Sequence, residues 1–317
     1  MVVVYSDNRK MALEMVAKAR ELSGPLNEKV TAVVLGKANE PFSADLVKHG
    51  ADRVIVAGAS LEGAKAEETA DILHAIVKEE GTSLVMIGST KSGKEMAPRL
   101  AAKLLVGCST DSKKLYIQDG AVHSERVVFS GNGVAVERFS SKPAVVTVPA
   151  KAYDPLPRDE GRQGEIIAKE IAPGVYGSKV VKVDPMLSEG VNVEDAEKIV
   201  SCGRGFKNSA DIKLVEELAG VLKGYTVGCS RPIAADLKWL SEDHWIGLSG
   251  HKVKPKLYVA CGISGQVQHI AGMRDSGIIV AINKDANAPI FKVADYGIVG
   301  DLYQVLPKLI NAIKQKS

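Results

Sequence analysis

The chain alternates short apolar runs with segments of helical periodicity, and this alternation constrains its fold more than any other feature. In the first part of the chain the apolar runs are Val2–Tyr5, Val30–Leu35, Arg53–Ala57 and Leu84–Ile87, and amphipathic stretches such as Glu67–Lys78 separate them. Apolar strands connected by helices are typical of a parallel sheet with both faces covered. The pattern therefore predicts an α/β domain.

The same alternation begins again in the second half. Its predicted elements are, in order, the strand Lys198–Gly203, the helix Ser209–Lys223, the strands Thr226–Ser230, Trp245–Leu248, Leu257–Gly262, Ile278–Asn283 and Tyr296–Val299, and the helix Leu302–Lys314. Because 317 residues exceed what one hydrophobic core usually organises, two domains are expected.

Between the two alternations the pattern changes to β-branched runs with glycine-containing turns. The turns Asp119-Gly120 and Gly131-Asn132-Gly133 favour hairpins. We therefore predict an antiparallel extension of the first domain that includes four runs: Leu115–Ile117, Val127–Phe129, Val134–Val136 and Val145–Val148.

A segment rich in proline, glycine and charge follows, and we predict a linker there, at about 151–190, with one short strand, Lys179–Val183, before Asp184-Pro185. The predicted organisation is an N-terminal α/β domain over 1–190, linker included, and a C-terminal domain over 191–317. The predicted fold class is α/β, with two doubly wound Rossmann-like domains built on parallel sheets, the first with an antiparallel hairpin extension.

Composition excludes several classes of function. Lys and Arg outnumber Asp and Glu only by 41 to 38 without clustering, which excludes a nucleic-acid-binding face. No apolar run reaches the roughly 20 residues that span a bilayer, and the first strand leaves no room for a signal peptide, so no membrane insertion is expected. The four cysteines are widely spaced, which favours reduced thiols in a cytoplasmic protein without a metal site.

One motif in the first half has an ordinary explanation. Gly88–Lys94 matches a phosphate-binding P-loop up to its lysine and follows a predicted strand. Glu95, however, stands where a Ser or Thr would bind magnesium, and its carboxylate would repel phosphates. We interpret this motif as a glycine-rich turn between a strand and a helix.

Small or polar residues stand at five strand ends of the predicted second sheet: Gly203-Arg204-Gly205, Gly228–Pro232, Gly262–Gly265, Asn283-Lys284-Asp285 and Gly300-Asp301-Leu302. In doubly wound folds nucleotides bind at that edge. A tight turn before a helix that begins near Gly265 suits a pyrophosphate. Each Asn or Asp alone is equally well explained as a turn or cap residue. Together the strand ends predict a dinucleotide-sized polar site.

Charged and aromatic side chains at this edge leave two interpretations open. Arg204 and Arg231 are each either anion-binding or solvated, although two arginines at one edge indicate a polyanion more than either does alone. Gln268 and His269 have side chains that can hydrogen-bond a heterocycle, whereas a single histidine is more often structural.

From residue 198 onward the sequence resembles the alpha subunit of electron transfer flavoproteins, the FixB-like family. The matching segments, in the family's order, are Val200–Gly205, Gly228–Arg231, Gly262–Met273, Ala281–Asp285, Ala288–Phe291 and Val293–Val299. The first half matches more loosely through Gly93–Ala102, a helix that serves packing and the subunit interface in the family.

The resemblance implies that FAD lies along the C-terminal domain. The residues that it implies for cofactor binding are Arg204, Ser230, Arg231, Gly247, Leu248, Ser249, Ser264, Gly265, Gln266, Val267, Gln268, His269, Asn283, Asp301 and Leu302. By family position, Ser264–His269 wrap the pyrophosphate and the pyrimidine side of the flavin. Asn283, Asp301 and Leu302 hold the adenosine end, and Arg204 and Ser230 lie along the cofactor.

The resemblance also implies three residues that tune the flavin. Arg231 places a fixed positive charge near the ring, which raises the potential of a flavin that gains negative charge on reduction. Ser249 occupies the place of a hydroxyl that bonds the central nitrogen, and His269 donates toward the carbonyl region. Leu248 departs from the family, which commonly has glutamine there, and the stretch 236–245 is divergent.

The implied function is that of an electron carrier with no catalytic residues of its own. As a heterodimer with a beta subunit, for which the N-terminal domain is the platform, it would pass electrons from dehydrogenases, for example acyl-CoA dehydrogenases, to an acceptor oxidoreductase. One alternative is a subunit of an electron-bifurcating, NADH-dependent flavoprotein. An alternative of another class is a nucleotide-binding module without redox function.

Overall fold

The computed structural model describes residues 1–36, 41–58, 65–79, 81–129, 133–178, 180–182 and 192–316. The chain divides into two compact units, Met1–Val183 and Asp184–Ser317. Among the described residues, no helix is long and apolar enough to span a membrane.

The first unit is a parallel sheet with helices on both faces. Its strands are β1 (Val2–Tyr5), β2 (Val30–Leu35), β3 (Arg53–Ala57), β4 (Leu84–Gly88), β5 (Cys108–Ser109), β6 (Ser112–Gln118), β7 (Ala121–Val128), β8 (Gly133–Arg138), β9 (Ala144–Val148) and β10 (Glu165–Lys169). Its helices are α1 (Arg9–Leu26), α2 (Phe42–Lys48), α3 (Ala66–Glu79) and α4 (Lys91–Leu104). Seven described strands form the main sheet in the order β10-β3-β2-β1-β4-β9-β5, and β6-β7-β8 form a separate antiparallel sheet. For the first unit this confirms the predicted α/β fold class, with a parallel sheet and an antiparallel extension.

Alternation along the strands explains why both faces of the main sheet are covered. Val2 and Val4 of β1 belong to the core that contains α1, whereas Val3 and Tyr5 belong to the core on the other face with α3 and α4. The Asn8 side chain begins α1 by accepting a hydrogen bond from the backbone N–H of Met11 at 3.1 Å. Helix position therefore follows from the apolar stripe and from the cap.

The turn after β4 has the ordinary geometry that its sequence indicates. The Thr90 hydroxyl accepts a hydrogen bond from the backbone N–H of Gly93 at 3.0 Å and so caps α4. A Cβ on Gly93 would lie 1.9 Å from the carbonyl oxygen of Gly88, so only glycine fits there. Lys94 points to Asp111, with 2.9 Å between its Nζ and a carboxylate oxygen.

Two strand predictions in the first unit are wrong. Val145–Val148 is not part of the antiparallel extension, because β9 pairs in parallel with β4 and is buried along its whole length. A fully buried apolar run is typical of a central parallel strand. In the stretch Lys179–Val183, residues 180–182 form no strand, and Lys179, Val183, Asp184 and Pro185 lie outside the described residues.

Part of the segment predicted as a linker belongs to the main sheet instead. Glu165–Lys169 forms β10, which pairs in parallel with β3 as an edge strand. Arg162 precedes it and donates to Asp52 at 2.8 Å, which ties this segment to the chain entering β3. Since β10 is largely exposed and begins and ends with a charged residue, its sequence lacks the apolar signal of a strand.

The second unit repeats the α/β architecture on a smaller scale. Its strands are β11 (Lys198–Cys202), β12 (Thr226–Cys229), β13 (Leu257–Cys261), β14 (Ile278–Asn283) and β15 (Tyr296–Val299), all parallel, in the order β12-β11-β13-β14-β15. Its α-helices are α5 (Lys213–Val221), α6 (Val267–Met273) and α7 (Leu302–Lys314). A 3-10 turn, Ser209–Ile212, leads into α5, and α6 begins two residues later than predicted, after Gln266.

One predicted strand of the second unit is wrong. Trp245–Leu248 forms only isolated bridges, between Cys229 and Trp245 and between Ile246 and His251. Its path is set by the loop that follows, where the backbone N–H of Gly250 donates to the carbonyl of Gly247 at 3.2 Å. The chain turns back there, so a strand cannot continue.

Candidate functional site

The centre of the second sheet contains its topological switch point. The chain enters at β11, moves outward to β12, and then returns past β11 to β13, so the loops after β11 and β13 leave the sheet side by side. In doubly wound folds ligands bind in the crevice at this point. The two loops are those of Gly203-Arg204-Gly205 and Gly262–Gly265.

These loops touch through their backbones. The N–H of Gly205 donates to the carbonyl of Gly262 at 3.0 Å. A Cβ on Gly205 would lie 2.7 Å from the Cα of Gly262, so a larger residue would push the loops apart. The close approach fixes the floor of a cavity of about 530 Å³, a volume in the range of small-molecule sites.

The cavity brings together twelve of the residues predicted for cofactor binding: Arg204, Ser230, Arg231, Gly247, Leu248, Ser249, Ser264, Gly265, Gln266, Gln268, His269 and Asn283. Three others lie outside its lining. Val267 is the first residue of α6, Asp301 caps α7 through a 2.8 Å bond from the N–H of Tyr303, and Leu302 is buried against the core that α5 and α7 share.

Positive charge is concentrated in this cavity. Arg204, Arg231 and Lys284 line it, and none of its described lining residues is acidic. In the described part of the chain these three cations have no ion-pair partner, whereas many of the other Lys and Arg side chains form ion pairs with carboxylates. Uncompensated cations that converge on one cavity favour an anionic ligand with more than one charge.

The part of the cavity around Trp245 is lined by aromatic and apolar side chains. The Arg231 guanidinium lies 5.9 Å from the centre of the Trp245 ring, within the range of a cation–π contact. Ile246 and the half-exposed Leu248 also line the cavity. The lining can therefore contact an apolar, planar group beside a fixed positive charge.

His269 is held in the wall by a second aromatic residue. Its Nε2 lies 2.9 Å from the hydroxyl of Tyr258, a residue of β13 that is fully buried. Its Nδ1 is buried and makes no hydrogen bond with the described residues. Burial lowers the pKa of His269 to about 4, against the opposing effect of the Ile246 carbonyl, so the imidazole is neutral at physiological pH.

Asn283 has a clear local role. Its Nδ2 donates to the carbonyl of Ile263 at 2.9 Å, and its Oδ1 accepts from the N–H of Asp285 at 3.0 Å. Both ends of the amide are therefore used to hold the loop after β13 against the loop after β14.

The cavity is also lined by residues that were not among those predicted for cofactor binding, although all of them except Trp245 and Ile246 lie in the strand-end segments where the sequence predicted a polar site. The additional lining residues are Gly205, Pro232, Trp245, Ile246, Gly262, Ile263 and Lys284. Lys284 had a usable signal, because it directly follows Asn283 at a predicted strand end. Trp245 and Ile246 had none, since a loop conformation and not a strand brings them to the cavity.

The sequence matches known families over most of its length. A family model described as "Electron transfer flavoprotein domain" matches residues 2–173, and one described as "Electron transfer flavoprotein FAD-binding domain" matches residues 192–274. A protein of Thermoanaerobacterium thermosaccharolyticum named "Electron transfer flavoprotein subunit alpha" is 39% identical over 96% of this chain and 93% of its own length.

Two further relatives carry related names. A Bacillus subtilis protein, again named "Electron transfer flavoprotein subunit alpha", is 36% identical over 97% of this chain and 94% of its own length. A protein of Clostridium saccharobutylicum named "Protein FixB" is 35% identical over 99% of this chain and 96% of its own length. These matches include both units.

Proposed function

Since this chain belongs to the electron transfer flavoprotein alpha-subunit family, whose C-terminal domain binds FAD, we propose that it is the FAD-carrying subunit of an electron carrier. In that role it takes electrons from dehydrogenases, such as acyl-CoA dehydrogenases, and passes them to an acceptor oxidoreductase. The chemistry on substrates belongs to those partner proteins.

One observation carries the proposal. Three cations that have no ion-pair partner among the described residues line a cavity that also presents Trp245, Ile246 and Leu248, and its described lining residues include no carboxylate. FAD has the complementary composition, because it joins a doubly charged pyrophosphate to a planar, largely apolar ring system. The residues present therefore fit the cofactor of the family.

The cavity supports a division of roles along the cofactor. Arg204 and Lys284 would neutralise the pyrophosphate, with Ser264–His269 around it and Ser230 alongside. Asn283 and, beyond the cavity, Asp301 and Leu302 would hold the adenosine end. Gly247, Leu248 and Ser249 would lie at the flavin end with Arg231.

Bound FAD supplies the redox chemistry, since its ring accepts and releases electrons. The chain supplies the electrostatic setting. Arg231 holds a positive charge that does not titrate, and its contact with Trp245 restricts where that charge lies. His269 adds no charge, because burial keeps its pKa low.

A beta subunit is the proposed partner, with the N-terminal unit as its platform. The antiparallel sheet of that unit exposes apolar side chains on one face: Val127 in β7 opposes Val134 in β8, and Val136 follows on the same face. These residues are 39%, 62% and 61% exposed. Exposed apolar patches on sheets commonly mark protein interfaces.

The test of this function is the visible absorption spectrum of the chain purified together with a candidate beta subunit. A flavin spectrum is expected, with FAD in the supernatant after heating and one FAD per heterodimer. Two FAD per heterodimer would indicate the bifurcating alternative. A colourless complex that does not take up added FAD would overturn the proposal.

Replacing Arg231 by alanine is expected to lower the reduction potential of the bound flavin by tens of millivolts, on the order of 50 mV for a one-electron step. The physical reason is the loss of a positive charge beside a ring that gains negative charge when reduced. Potentiometric titration of the heterodimer measures the shift.

Arg231→Lys is the matched control, because it keeps the charge but not the planar guanidinium that contacts Trp245. It should recover most of the lost potential. An Arg231→Ala heterodimer that still binds FAD and has the potential of the unmodified protein would contradict the assigned role.

A further inference from the structure

A phenol–carboxylate pair outside the cavity ties the loop after β11 to α7. Tyr303 lies in the first turn of α7, and Asp211 lies in the 3-10 turn that leads into α5. The phenol oxygen of Tyr303 lies 2.6 Å from Oδ2 of Asp211 and 2.8 Å from the backbone nitrogen of Lys207. The same Oδ2 lies 3.0 Å from the backbone nitrogen of Asn208. The pair therefore holds two consecutive peptide N–H groups.

The donors and acceptors in this group can be assigned without ambiguity. A backbone N–H can only donate, so the phenol oxygen accepts from Lys207 and the carboxylate accepts from Asn208. The hydrogen bond from Tyr303 holds the pKa of the Asp211 carboxyl below its usual range, so this carboxylate is ionised at neutral pH and only accepts. The phenol hydrogen therefore points to Asp211, and every member of the group has a partner.

The two peptide groups directly follow the turn that carries Arg204. Arg204 and Gly205 are exposed, so burial does not fix the turn at these residues. On one side it is held by the backbone hydrogen bond between the loops after β11 and β13. The N–H of Phe206 also donates to the carbonyl of Gly203 at 3.2 Å, which closes the turn locally. On the other side the Tyr303 hydroxyl is the anchor, at the residue after Phe206.

The anchor stands on a part of α7 that is itself fixed next to the floor of the cavity. Leu302, the residue before Tyr303, is buried, and its Cδ1 lies 3.2 Å from where a Cβ on Gly262 would be. Asp301 caps the helix by accepting from the N–H of Tyr303 at 2.8 Å. Tyr303 therefore links the segment after the Arg204 turn to a helix end that already contacts the loop after β13.

We propose that the Tyr303 hydroxyl, together with Asp211, is a positioning group that fixes the turn after β11 in the conformation that presents Arg204 to the cavity. The order of the turn does not depend on a ligand. Its use rests on the proposed function: an ordered Arg204 loses less conformational freedom when it binds the pyrophosphate of FAD.

The first test needs no ligand. Backbone ¹⁵N relaxation and relaxation dispersion of the full chain, recorded without added FAD, report motion of the turn. Tyr303→Phe keeps the ring and removes only the hydroxyl, and we expect increased motion at Arg204 and Gly205. Tyr225→Phe, which removes a phenol hydroxyl of the second unit outside the cavity lining, should leave both signals unchanged. If motion increased only at Lys207, the anchor would not reach the turn and the proposal would be overturned.

The second test is a double-mutant cycle with FAD as the probe. We expect Tyr303→Phe to raise the dissociation constant about threefold to tenfold, as loss of one oriented hydrogen bond does, and Tyr225→Phe to leave it unchanged. In an Arg204→Gln chain, Tyr303→Phe should change the constant by less than about twofold, because no guanidinium is left to position. An unchanged constant in Tyr303→Phe, or an equal loss in both backgrounds, would overturn the proposal.

Asp211→Ala breaks the same pair from its other member and should give the same results in both tests. It keeps the proposal falsifiable if Tyr303→Phe does not fold. If the unmodified chain bound no FAD, the proposed function would fail, and the relaxation data would still decide whether Tyr303 orders the turn.

Discussion

A Gly265→Ala chain should lose about 4 kcal/mol of stability in the second unit. Gly265 has φ +80°, and a Cβ there would lie 2.4 Å from the backbone nitrogen of Ile290 and 2.5 Å from its Cα. The N–H of Ile290 donates to the carbonyl of Ser264 at 3.0 Å, and Ile290 is fully buried. The methyl group therefore adds a steric clash with a fixed backbone to the cost of a left-handed conformation.

Urea unfolding followed by tryptophan fluorescence measures this loss selectively, because both tryptophans of the chain, Trp239 and Trp245, lie in the second unit. Gly224→Ala is the matched control. Gly224 has φ +71°, but nothing lies within 4 Å of its added Cβ, so only the conformational cost of about 1 kcal/mol is expected. Equal losses in the two variants would show that the contact with Ile290 is not what requires glycine.

Exchanging Arg204 and Lys284 together for glutamine is expected to raise the dissociation constant of FAD on the order of a thousandfold. Each cation lines the cavity and has no acidic partner among the residues that the structure describes, so each can form a charge-assisted hydrogen bond with the pyrophosphate. Such bonds are worth about 1.5–3 kcal/mol each, and 1.4 kcal/mol corresponds to a tenfold change. Titration of the apo chain with FAD, followed by flavin fluorescence, gives the two constants.

The control for this pair carries the same change in net charge away from the cavity. Lys308 and Lys316 are exposed residues in and just after α7, outside the cavity lining, and Lys308→Gln with Lys316→Gln should leave FAD affinity within about threefold of the unmodified chain. The salt dependence of binding should become weaker only in the Arg204 and Lys284 variant. If both double variants lost FAD affinity to a similar extent, the loss would be explained by net charge alone. That result would contradict the proposed contacts of Arg204 and Lys284 with the pyrophosphate.

Much of the fold could be predicted because the signals are local. The helix Leu302–Lys314 has the predicted bounds, since Asp301 caps it and its apolar residues repeat at helical spacing. The strands β11, β13 and β14 were predicted to within one residue for the same kind of reason: each is a short apolar run between residues that favour turns. The predictions for Val145–Val148 and Trp245–Leu248 were wrong, although these runs are apolar too. Apolar composition does not distinguish a strand with a parallel partner from one with an antiparallel partner, or either of them from a buried loop.

Some residues of the candidate site could likewise be predicted from local sequence signals, and others could not. Arg204, Ser264 and Asn283 were predicted because each stands at the end of a recognisable strand. Trp245 and Ile246 could not be predicted, because the loop that contains them is held by contacts far away in sequence, such as the close approach of Gly247 to Gly272. In the sequence Tyr258 is an ordinary strand residue, and only the structure shows that its hydroxyl lies 2.9 Å from Nε2 of His269.

By itself the sequence determined most of the strands and helices, and which polar residues stand at the ends of the strands, because propensity, periodicity and capping act over a few residues. Only the tertiary structure decided that β9 and β10 join the first sheet, that Arg204, Arg231 and Lys284 share one cavity, and that Tyr258 holds His269. Strand order and side-chain pairing depend on burial and hydrogen bonding between residues distant in the chain, which no local pattern records.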